Sequence, residues 1–379
     1  MPEKKKICFI TSSPTSAHSF LKVPIDRLSS EFDICYVGNF TDRKEIAGLN
    51  VKYAHPIEIK RRPDVRADIK ALWQLYSFFK KEQFFAVHAI TRKATLLTGI
   101  AAFCAHVPHR IKTFTGQIWA NMRGRKRKLY MALDRLDVKL NTELLVDGEP
   151  QRQYLIANGI MTEQDAQVLA SGSICGVDTV RFNPSADVRK AIRQELNYSD
   201  DDIVYVFLGR LKKEKGIYEL FEAFEQLVPA RPNAKLLLVG PDEENCRSRL
   251  YEYHNLKDGG NVIFYGMTPE PQKLLQAGDV FVLPTYREGF GLSVLEASCV
   301  GLPVICSDTY GVMDAMVDDV TGLRCKTADS KTLRDCMEKL YANPDLRKEL
   351  GKNGQKRVKT TFSREILTDA WMAFYKSLK

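Results

Sequence analysis

Long apolar segments are missing from this sequence. None of its 379 residues begins the uninterrupted apolar run of about 18 positions that a membrane-spanning helix requires. The best candidate, residues 96–107, contains Thr98 and His106 and predicts a buried helix. The lysines at positions 4–6 precede only a short apolar run, residues 7–10, so we expect no signal peptide. We therefore expect the chain to stay in the cytoplasm.

Cysteine spacings typical of metal or redox sites are also missing. No two of the nine cysteines are separated by two residues, as they are in most zinc and disulfide-exchange motifs. Most stand inside apolar runs such as residues 7–9 and 304–306, which predicts small core residues in a reducing compartment. Glycine (23 residues) and proline (16 residues) are too few for a collagen-like or low-complexity chain.

The excess of positive charge is confined to the first half of the chain. Residues 1–178 carry 27 basic and 18 acidic side chains, whereas residues 179–379 carry 29 of each. The densest basic run, residues 123–128, is flanked by Trp119, Met122 and Tyr130. Basic and aromatic side chains together suit an anionic lipid surface. A solvated surface is the alternative interpretation. Nucleic-acid binding is a third, although no zinc, KH or RNP pattern supports it.

Short apolar runs alternate with helical patterns along the chain. The predicted strands are residues 7–11, 33–37, 86–90, 110–114, 138–141, 203–208, 235–239, 262–264, 280–283, 303–306 and 322–325. The predicted helices are residues 68–81, 217–227, 271–275, 292–300 and 330–341. Uninterrupted apolar strands between helices are typical of buried parallel sheets. Because the rhythm occurs twice, we expect two doubly wound, Rossmann-like α/β domains facing across a cleft, with ligands beyond the carboxyl ends of the strands.

The strongest motif is Glu-Gly-Phe-Gly-Leu-Ser-Val-Leu-Glu at residues 288–296, directly after a predicted strand. Its glycines, Gly289 and Gly291, permit a tight turn and a close backbone approach. The amides near Gly291 then begin a helix, which is a natural seat for phosphate. Glu288 and Glu296 lie on either side of this seat, which suits a ligand with phosphates in the middle and hydroxyls at both ends. A capped helix with surface acids is the alternative.

A second motif, residues 209–216, follows another predicted strand. Arg210 and Lys215 in this loop have the charges to hold a diphosphate. Two weaker signals are Gly240 and the pair Tyr265-Gly266, where the next two predicted strands end. Each places backbone at the same edge of the sheet, where a nucleotide base would bind.

The ordered motifs resemble those of retaining glycosyltransferases of family 4, which have the GT-B fold. That family shows a Gly-Arg…Glu-Lys-Gly segment followed by Glu-Gly-Phe-Gly with a second glutamate eight residues after the first. Both stand here, at residues 209–216 and 288–296. Upstream, residues 172–178 with Arg181 and Phe182 resemble the family's hinge segment. The resemblance is strong over residues 172–326 and weaker over the first half.

The resemblance implies roles for these residues. Arg210 and Lys215 would neutralise the departing nucleoside diphosphate, Glu296 would bind the ribose, and Glu288 would bind the donor sugar. We therefore expect Glu288, Arg210 and Lys215 to be catalytic. The expected donor-binding residues are Gly209, Gly240, Tyr265, Gly266, Gly289, Phe290, Gly291, Leu292, Ser293 and Glu296. No metal is expected, because fixed cations and helix amides can stabilise the diphosphate. The acidic run at residues 200–202, a candidate for a metal-binding carboxylate motif, is predicted to lie on the protein surface.

The first half departs from the family at one position. Many members carry His-Gly at the end of a first-domain strand, whereas Thr115 and Gly116 stand here. Threonine cannot act as a base at neutral pH, so no general base is assigned. The family's front-face mechanism does not require one, because the leaving phosphate accepts the proton. Ser13 and His18, in the loop after the first strand, are the other expected acceptor contacts. A purely structural role for Thr115 and a surface role for His18 remain open.

The expected domains are residues 1–178, which bind the acceptor, and residues 179–379, which bind the nucleotide sugar, with the last helix returning to the first domain. The resemblance extends to bacterial enzymes of capsule, O-antigen and exopolysaccharide assembly. It implies transfer of a hexose or N-acetylhexosamine from a UDP-sugar, without a further cofactor, to a sugar acceptor linked to undecaprenyl diphosphate. The first domain would dock on the inner face of the cytoplasmic membrane, and no nucleic acid would be bound. A sugar-nucleotide epimerase of the same fold is the alternative.

Overall fold

The computed structural model describes residues 4–60, 62–254, 256 and 259–379. Contacts divide the chain into two units. Unit 1 comprises Met1–Gly176 and Arg364–Lys379, and unit 2 comprises Val177–Ser363. The expected boundary, after residue 178, lies two residues beyond this division. The acceptor and donor roles assigned to the two halves stay predictions.

Unit 1 is built on a parallel sheet of seven strands within the described residues, in the order β3-β2-β1-β4-β5-β6-β7. Its strands are β1 (Lys6–Ile10), β2 (Asp33–Gly38), β3 (Tyr53–Pro56), β4 (Ala86–Ala89), β5 (His109–Phe114), β6 (Glu143–Val146) and β7 (Ala166–Val168). Its first helices are α1 (Pro14–Phe20), α2 (Lys22–Leu28), α3 (Val65–Glu82), α4 (Arg92–Ala105), α5 (Gly124–Leu140) and α6 (Glu149–Ala157). The strand order reverses between β1 and β4, so the loops after these strands flank a topological switch point.

Four of the five strands predicted for the first half are confirmed, and the fifth is wrong. Residues 138–141 form the last turn and C-cap of α5, and the strand begins at Glu143. Residues 138–140, Val-Lys-Leu, alternate apolar and polar side chains as a strand would. They nevertheless continue α5, in which the side chains of Asp134 and Asp137 are buried. The short edge strands β3 and β7 escaped prediction, since four and three residues carry little periodicity. The expected buried helix at residues 96–107 corresponds to α4.

Unit 2 is built on a second parallel sheet, in which the described residues form six strands in the order β10-β9-β8-β11-β12-β13. They are β8 (Ile203–Leu208), β9 (Ala234–Val239), β10 (Val262–Gly266), β11 (Val280–Leu283), β12 (Val304–Ser307) and β13 (Gly322–Cys325). The helices are α7 (Ala186–Glu195), α8 (Ile217–Leu227), α9 (Cys246–Tyr253), α10 (Pro271–Leu275), α11 (Leu292–Cys299), α12 (Ser330–Ala342) and α13 (Pro344–Thr361). The strand order reverses between β8 and β11, so the two predicted motif loops flank this switch point.

Every strand predicted for the second half is confirmed. The inner strands β8, β9, β11 and β12 are apolar runs that are almost wholly buried, whereas the edge strands β10 and β13 each carry an exposed residue, Tyr265 and Arg324. The prediction of a surface acidic run at residues 200–202 needs one correction. Asp202 is buried, and its Oδ2 accepts a hydrogen bond from the Ser199 amide at 2.7 Å. Asp200 and Asp201 are exposed. Asp202 therefore closes the turn before β8.

The last helix, α14 (Arg364–Ser377), belongs to unit 1. Its Trp371 is buried, and the indole Nε1–H donates to the Ile174 carbonyl at 3.1 Å. Tyr375 contacts His88 of β4 through a hydrogen bond of 2.7 Å, and the other ring nitrogen of His88 lies 2.7 Å from Thr113 Oγ1. Burial lowers the pKa of His88 to about 3, so the ring is neutral. The end of the chain is thus part of the core of the first sheet.

Seven of the nine cysteines are buried, as the apolar runs predicted, whereas Cys104 is exposed and Cys336 is half-buried. Burial raises the pKa of the Cys306 thiol well above its usual range, so this thiol is a core group and not a nucleophile. No helix among the described residues combines the length and apolarity needed to cross a bilayer. The described His, Cys, Asp and Glu side chains form no group of three or more that is arranged to hold a metal ion.

Candidate functional site

The two motif loops of unit 2 meet at the switch point. The first loop follows β8 and the second follows β11, and these strands are neighbours in the sheet. Lys215 Nζ from the first loop forms an ion pair with the Glu288 carboxylate from the second. Their side chains are only 15% and 16% exposed, so the pair is partly withdrawn from water and weakly screened. The structure therefore brings together two of the three residues expected to be catalytic.

Glu214 fixes the two loops to each other. Its carbonyl oxygen accepts hydrogen bonds from the Tyr286 amide at 2.9 Å and from Thr285 Oγ1 at 3.1 Å. Its carboxylate forms ion pairs with Arg287 at 3.1 Å and Lys212 at 2.8 Å. Partial burial opposes ionisation, but the hydrogen bond from Lys212 and the charge of Arg287 hold the pKa of Glu214 below its usual range. The contacts of Glu214 with residues 285–287 were not predicted, because no spacing rule links residues about 70 positions apart.

Two glycines allow this close approach. Gly216 has φ of +72°, and a Cβ there would lie 1.9 Å from the Pro284 carbonyl oxygen. A Cβ on Gly311 would lie 2.1 Å from the Glu288 carbonyl oxygen. Gly311 follows β12 and was not predicted as a site residue. Any larger residue at either position would displace the loop that carries Glu288.

The weaker sequence signals lie along the same edge of the sheet. The Gly209 amide donates to the Val239 carbonyl at 2.9 Å, and the Gly240 amide donates to the Gly266 carbonyl at 2.8 Å. These contacts place the ends of β8, β9 and β10 side by side. Tyr265 is 38% exposed at the end of β10. Arg210 is exposed and pairs with Glu243 at 3.3 Å, which is a surface pair of small energetic value.

The N-terminus of α11 lies at the centre of this edge of the second sheet. Gly291 is its N-cap with φ of +83°, and no side chain among the described residues caps the helix. The amides of Leu292 and Ser293 therefore stand at the positive end of the helix dipole. Phe290 is buried and its ring packs against Phe362 with centroids 5.5 Å apart. Only the backbone of Phe290 is thus left for a ligand. Gly289 and Glu296 are half-buried on either side.

Of the predicted acceptor residues of unit 1, Ser13, Thr115 and Gly116 follow the carboxyl ends of β1 and β5, whereas His18 stands in the last turn of α1 and not in the loop after the first strand. Ser13 is the N-cap of α1, and its Oγ accepts from the Ser16 amide at 3.4 Å. His18 Nε2 contacts the Glu45 carbonyl oxygen at 2.9 Å, which ties the ring to its own unit. Thr115 and Gly116 line a small cavity.

Lys112 and Asp134, which also line that cavity, belong to a buried charged cluster. Lys112 Nζ lies 2.5 Å from Asp137 Oδ2 and 3.5 Å from Asp134 Oδ1. The Trp119 indole Nε1–H donates to Asp134 Oδ2 at 2.6 Å, and Trp119 is fully buried. The expectation that Trp119 contacts lipid is therefore wrong. Exposed basic residues follow from Arg123 onward, but the hydrogen bond of Trp119 to a buried carboxylate holds its side chain in the core.

Asp147, directly after β6, was not predicted as a site residue. Its carbonyl oxygen accepts from the Ser173 amide of the hinge motif at 2.7 Å. Its Oδ1 is buried and has no hydrogen-bond partner among the described residues. Burial raises the pKa of this carboxyl to about 7. No motif marked it, because a single aspartate after a strand is common.

Comparisons with known proteins agree with this geometry. The family model described as "Glycosyl transferases group 1" matches residues 188–357. A relative from Staphylococcus aureus, the "capsular polysaccharide biosynthesis glycosyltransferase CapM", is 31% identical over 337 residues, covering 89% of this chain and 88% of the relative. The "N,N'-diacetylbacillosaminyl-diphospho-undecaprenol alpha-1,3-N-acetylgalactosaminyltransferase" of Campylobacter jejuni is 25% identical, covering 98% of each chain.

A solved structure, that of Anabaena Alr3699/HepE in complex with UDP and glucose, superposes with a TM-score of 0.80. It shares 18% sequence identity and covers 98% of this chain and all of that one. The likeness shows the fold, which is the GT-B fold of two parallel-sheet α/β domains. Fold, family match and relatives lead to one conclusion: this chain is a glycosyltransferase that belongs to the group 1 family and is related to enzymes of bacterial capsule and surface-polysaccharide synthesis.

Proposed function

We propose that this enzyme is a retaining glycosyltransferase of family 4. It transfers a hexose or N-acetylhexosamine from a UDP-sugar to a sugar acceptor linked to undecaprenyl diphosphate. The observation that carries the proposal is the pairing of Lys215 with Glu288 beside the N-terminus of α11, which no side chain in the described part of the chain caps. A cation, a carboxylate and helix amides at one edge match a ligand that has both a diphosphate and sugar hydroxyls.

The chemistry follows from where charge develops. The bond between the anomeric carbon of the donor and its phosphate oxygen breaks, and the anomeric carbon bonds to the acceptor oxygen. The acceptor's hydroxyl proton passes to the departing phosphate. Lys215, Arg210 and the amides of Leu292 and Ser293 stabilise the diphosphate as its charge grows, which lowers the barrier without a metal ion. Glu288 orients Lys215 and accepts hydrogen bonds from the donor sugar, while Glu296 holds the ribose.

Names of the relatives support the donor and acceptor classes. The Campylobacter relative is named for a diphospho-undecaprenol acceptor and an N-acetylgalactosaminyl donor group, and the Anabaena structure holds UDP and glucose. The positive charge of residues 1–178 suits an acceptor that carries phosphates and lies at an anionic lipid surface. We therefore place the enzyme on the inner face of the cytoplasmic membrane.

A donor panel tests the proposal. The purified enzyme is incubated with UDP-, GDP- and ADP-sugars and a short-chain lipid diphosphate sugar, and the released nucleotide is measured. We expect UDP release that depends on acceptor, persists in EDTA, and yields a product whose NMR coupling shows a retained anomeric configuration. Release of GDP or ADP alone, an inverted product, or loss of activity in EDTA that magnesium restores would each overturn part of it. Conversion of the UDP-sugar without acceptor would indicate an epimerase.

A further inference from the structure

Helix α3 presents an apolar stripe to solvent. Val65, Ile69, Trp73 and Tyr76 are 72%, 63%, 68% and 36% exposed. They are spaced by four, four and three residues, so they lie along one face of the helix. The opposite face buries Ala71, Leu75 and Phe79 in the core of unit 1. A contiguous exposed apolar patch of this kind marks an interaction surface.

The rim of this stripe is basic. Arg66, Lys70 and Lys80 are exposed beside it. The acidic groups of the same helix are already paired within unit 1. Asp68 contacts Lys93 at 2.5 Å, and Glu82 contacts Lys6 at 3.5 Å. The charge left facing solvent is therefore positive, which complements an anionic partner and not a neutral one.

Residues near the start of α3 and on α5 line one cavity. The cavity, of about 250 Å³, is lined by Pro63 and Asp68, by Tyr130 and Leu133 of α5, and also by Arg92, Lys93 and Leu96 of α4. Along α5, Leu129 is 59% exposed, and Arg125, Lys126 and Lys128 are exposed next to it. The stripe residues themselves do not line this cavity, and the exposed basic residues of α5 add to the positive charge that unit 1 presents to solvent.

We propose that α3 is a membrane-docking helix whose Val65, Ile69, Trp73 and Tyr76 side chains enter the interfacial region of an anionic bilayer. Trp and Tyr favour the level of the lipid headgroups, and basic residues on the flanks bind their phosphates. This inference rests on the membrane location in the proposed function but not on the donor or the reaction. The occupant is a lipid surface and not a second copy of the chain, because a two-fold dimer would bring two copies of the same positively charged rim together, whereas anionic headgroups complement it.

Trp73 provides a direct measurement. The chain has three tryptophans, and Trp119 and Trp371 are 0% and 1% exposed, so a change at the surface is reported by Trp73. We expect phosphatidylglycerol-containing vesicles to shift the emission of the full-length protein to shorter wavelength and to protect it from acrylamide. Phosphatidylcholine vesicles should have little effect. The Trp73→Phe variant should lose the response while still sedimenting with vesicles.

Co-sedimentation completes the test. Ile69→Ser/Trp73→Ser should weaken binding to anionic vesicles at least tenfold, whereas the control Val180→Ser, at a position of unit 2 that is 85% exposed, should bind as the wild type does. Equal sedimentation of the double variant, or an unchanged Trp73 emission in the wild type, would overturn the proposal. Light scattering that shows a dimer broken by the double variant would assign the stripe to self-association and also overturn it.

Membrane docking by α3 and transfer from a UDP-sugar are tested by independent measurements. Release of UDP with a water-soluble acceptor should be the same in the wild type and the double variant. If neither releases UDP from any donor while the fluorescence shift is observed, the donor assignment fails and membrane docking stands.

Discussion

Lys215 and Glu288 are 73 positions apart in sequence and form an ion pair in the structure. Each group therefore has a partner before a ligand arrives. In the proposed mechanism the diphosphate shares Lys215 with Glu288, and the sugar hydroxyls take up the remaining acceptor capacity of the carboxylate. The pair keeps Lys215 in place and reduces the entropy that would be lost on binding.

Glu296 is predicted to bind the ribose hydroxyls. Glu296→Ala should weaken UDP binding by about 1–3 kcal/mol, the value of a hydrogen bond to a charged group. Titration calorimetry with UDP measures this, and Glu349→Ala, an exposed change on α13, is the matched control. An unchanged affinity of the Glu296 variant for UDP would show that Glu296 does not bind the ribose.

Glu288 should affect turnover more than UDP affinity. Glu288→Ala removes a contact that tightens as positive charge develops on the sugar, so kcat should fall by a larger factor than UDP binding does. Glu288→Gln keeps the shape without the charge and separates orientation from charge. Steady-state rates and calorimetry on the same preparations give the comparison. Equal losses would mean that the roles of Glu288 and Glu296 are exchanged.

Asp147 should make stability depend on pH. Burial raises the pKa of this carboxyl from 3.8 to about 7, so the folded state binds a proton that the unfolded state releases. Its contribution is fully present below about pH 4 and is lost as pH rises through about 7, at about 1.4 kcal/mol per unit of pKa difference. Urea unfolding of Asp147→Asn at pH 5 and pH 8 should show a smaller difference than the wild type.

Asp200→Asn, at an exposed position, should behave as the wild type in the same measurement. An Asp147 variant with the wild-type pH dependence would show that the carboxyl is ionised in the folded protein at neutral pH.

At the scale of elements, helix α14, at the far end of the chain, packs against the first sheet. The hydrogen bond between Tyr375 and His88 joins α14 to β4. The hydrogen bond from Trp371 to the Ile174 carbonyl joins α14 to the last residues of unit 1 before unit 2 begins. Both aromatic side chains are buried. Helix α14 therefore contributes to the stability of unit 1, although it follows unit 2 in sequence.

Tyr375→Phe tests this coupling. The variant leaves a buried ring nitrogen of His88 without its hydrogen bond, so the free energy of unfolding should fall by about 1–3 kcal/mol. Urea denaturation followed by circular dichroism measures it, with Tyr251→Phe, a half-exposed position on α9, as the control. An unchanged midpoint would show that the contact contributes nothing to stability.

At the scale of the whole molecule, charge is divided between the halves. The excess of nine positive charges lies in residues 1–178. Within the run at residues 123–128, four basic side chains are exposed, while Arg127 is half-buried and donates to Asn158 Oδ1 at 2.7 Å. The exposed four are Arg123, Arg125, Lys126 and Lys128.

Changing these four residues to Gln should release the enzyme from anionic vesicles and leave UDP affinity unchanged. Each basic residue near anionic lipid contributes about 1 kcal/mol, so their sum is several kcal/mol, and high salt should have the same effect. Sedimentation with vesicles measures release. The matched control changes the same charge in unit 2, at the exposed residues Lys331, Lys348, Lys352 and Lys356. Equal release by both variants would show that only net charge matters.

The sequence by itself determined the two α/β sheets and the loops that carry the candidate donor site. Strands buried on both faces must be apolar, and the ends of parallel strands must meet at one edge, so short apolar runs and the residues after them were sufficient evidence. Helix α7 and the polar helix α13 were not predicted. Both are among the most polar helices of the chain, so their composition favoured loops, although α7 buries Ile192 and Arg193 on one face.

Only the tertiary structure decided which side chains face each other and which face solvent. The pairing of Lys215 with Glu288 depends on β8 and β11 being neighbours, which no local pattern encodes. Trp119 and Trp73 both stand in segments with basic residues, yet Asp134 holds Trp119 in the core and α3 leaves Trp73 68% exposed. Burial is a property of packing between elements distant in sequence, so composition around an aromatic residue does not determine it.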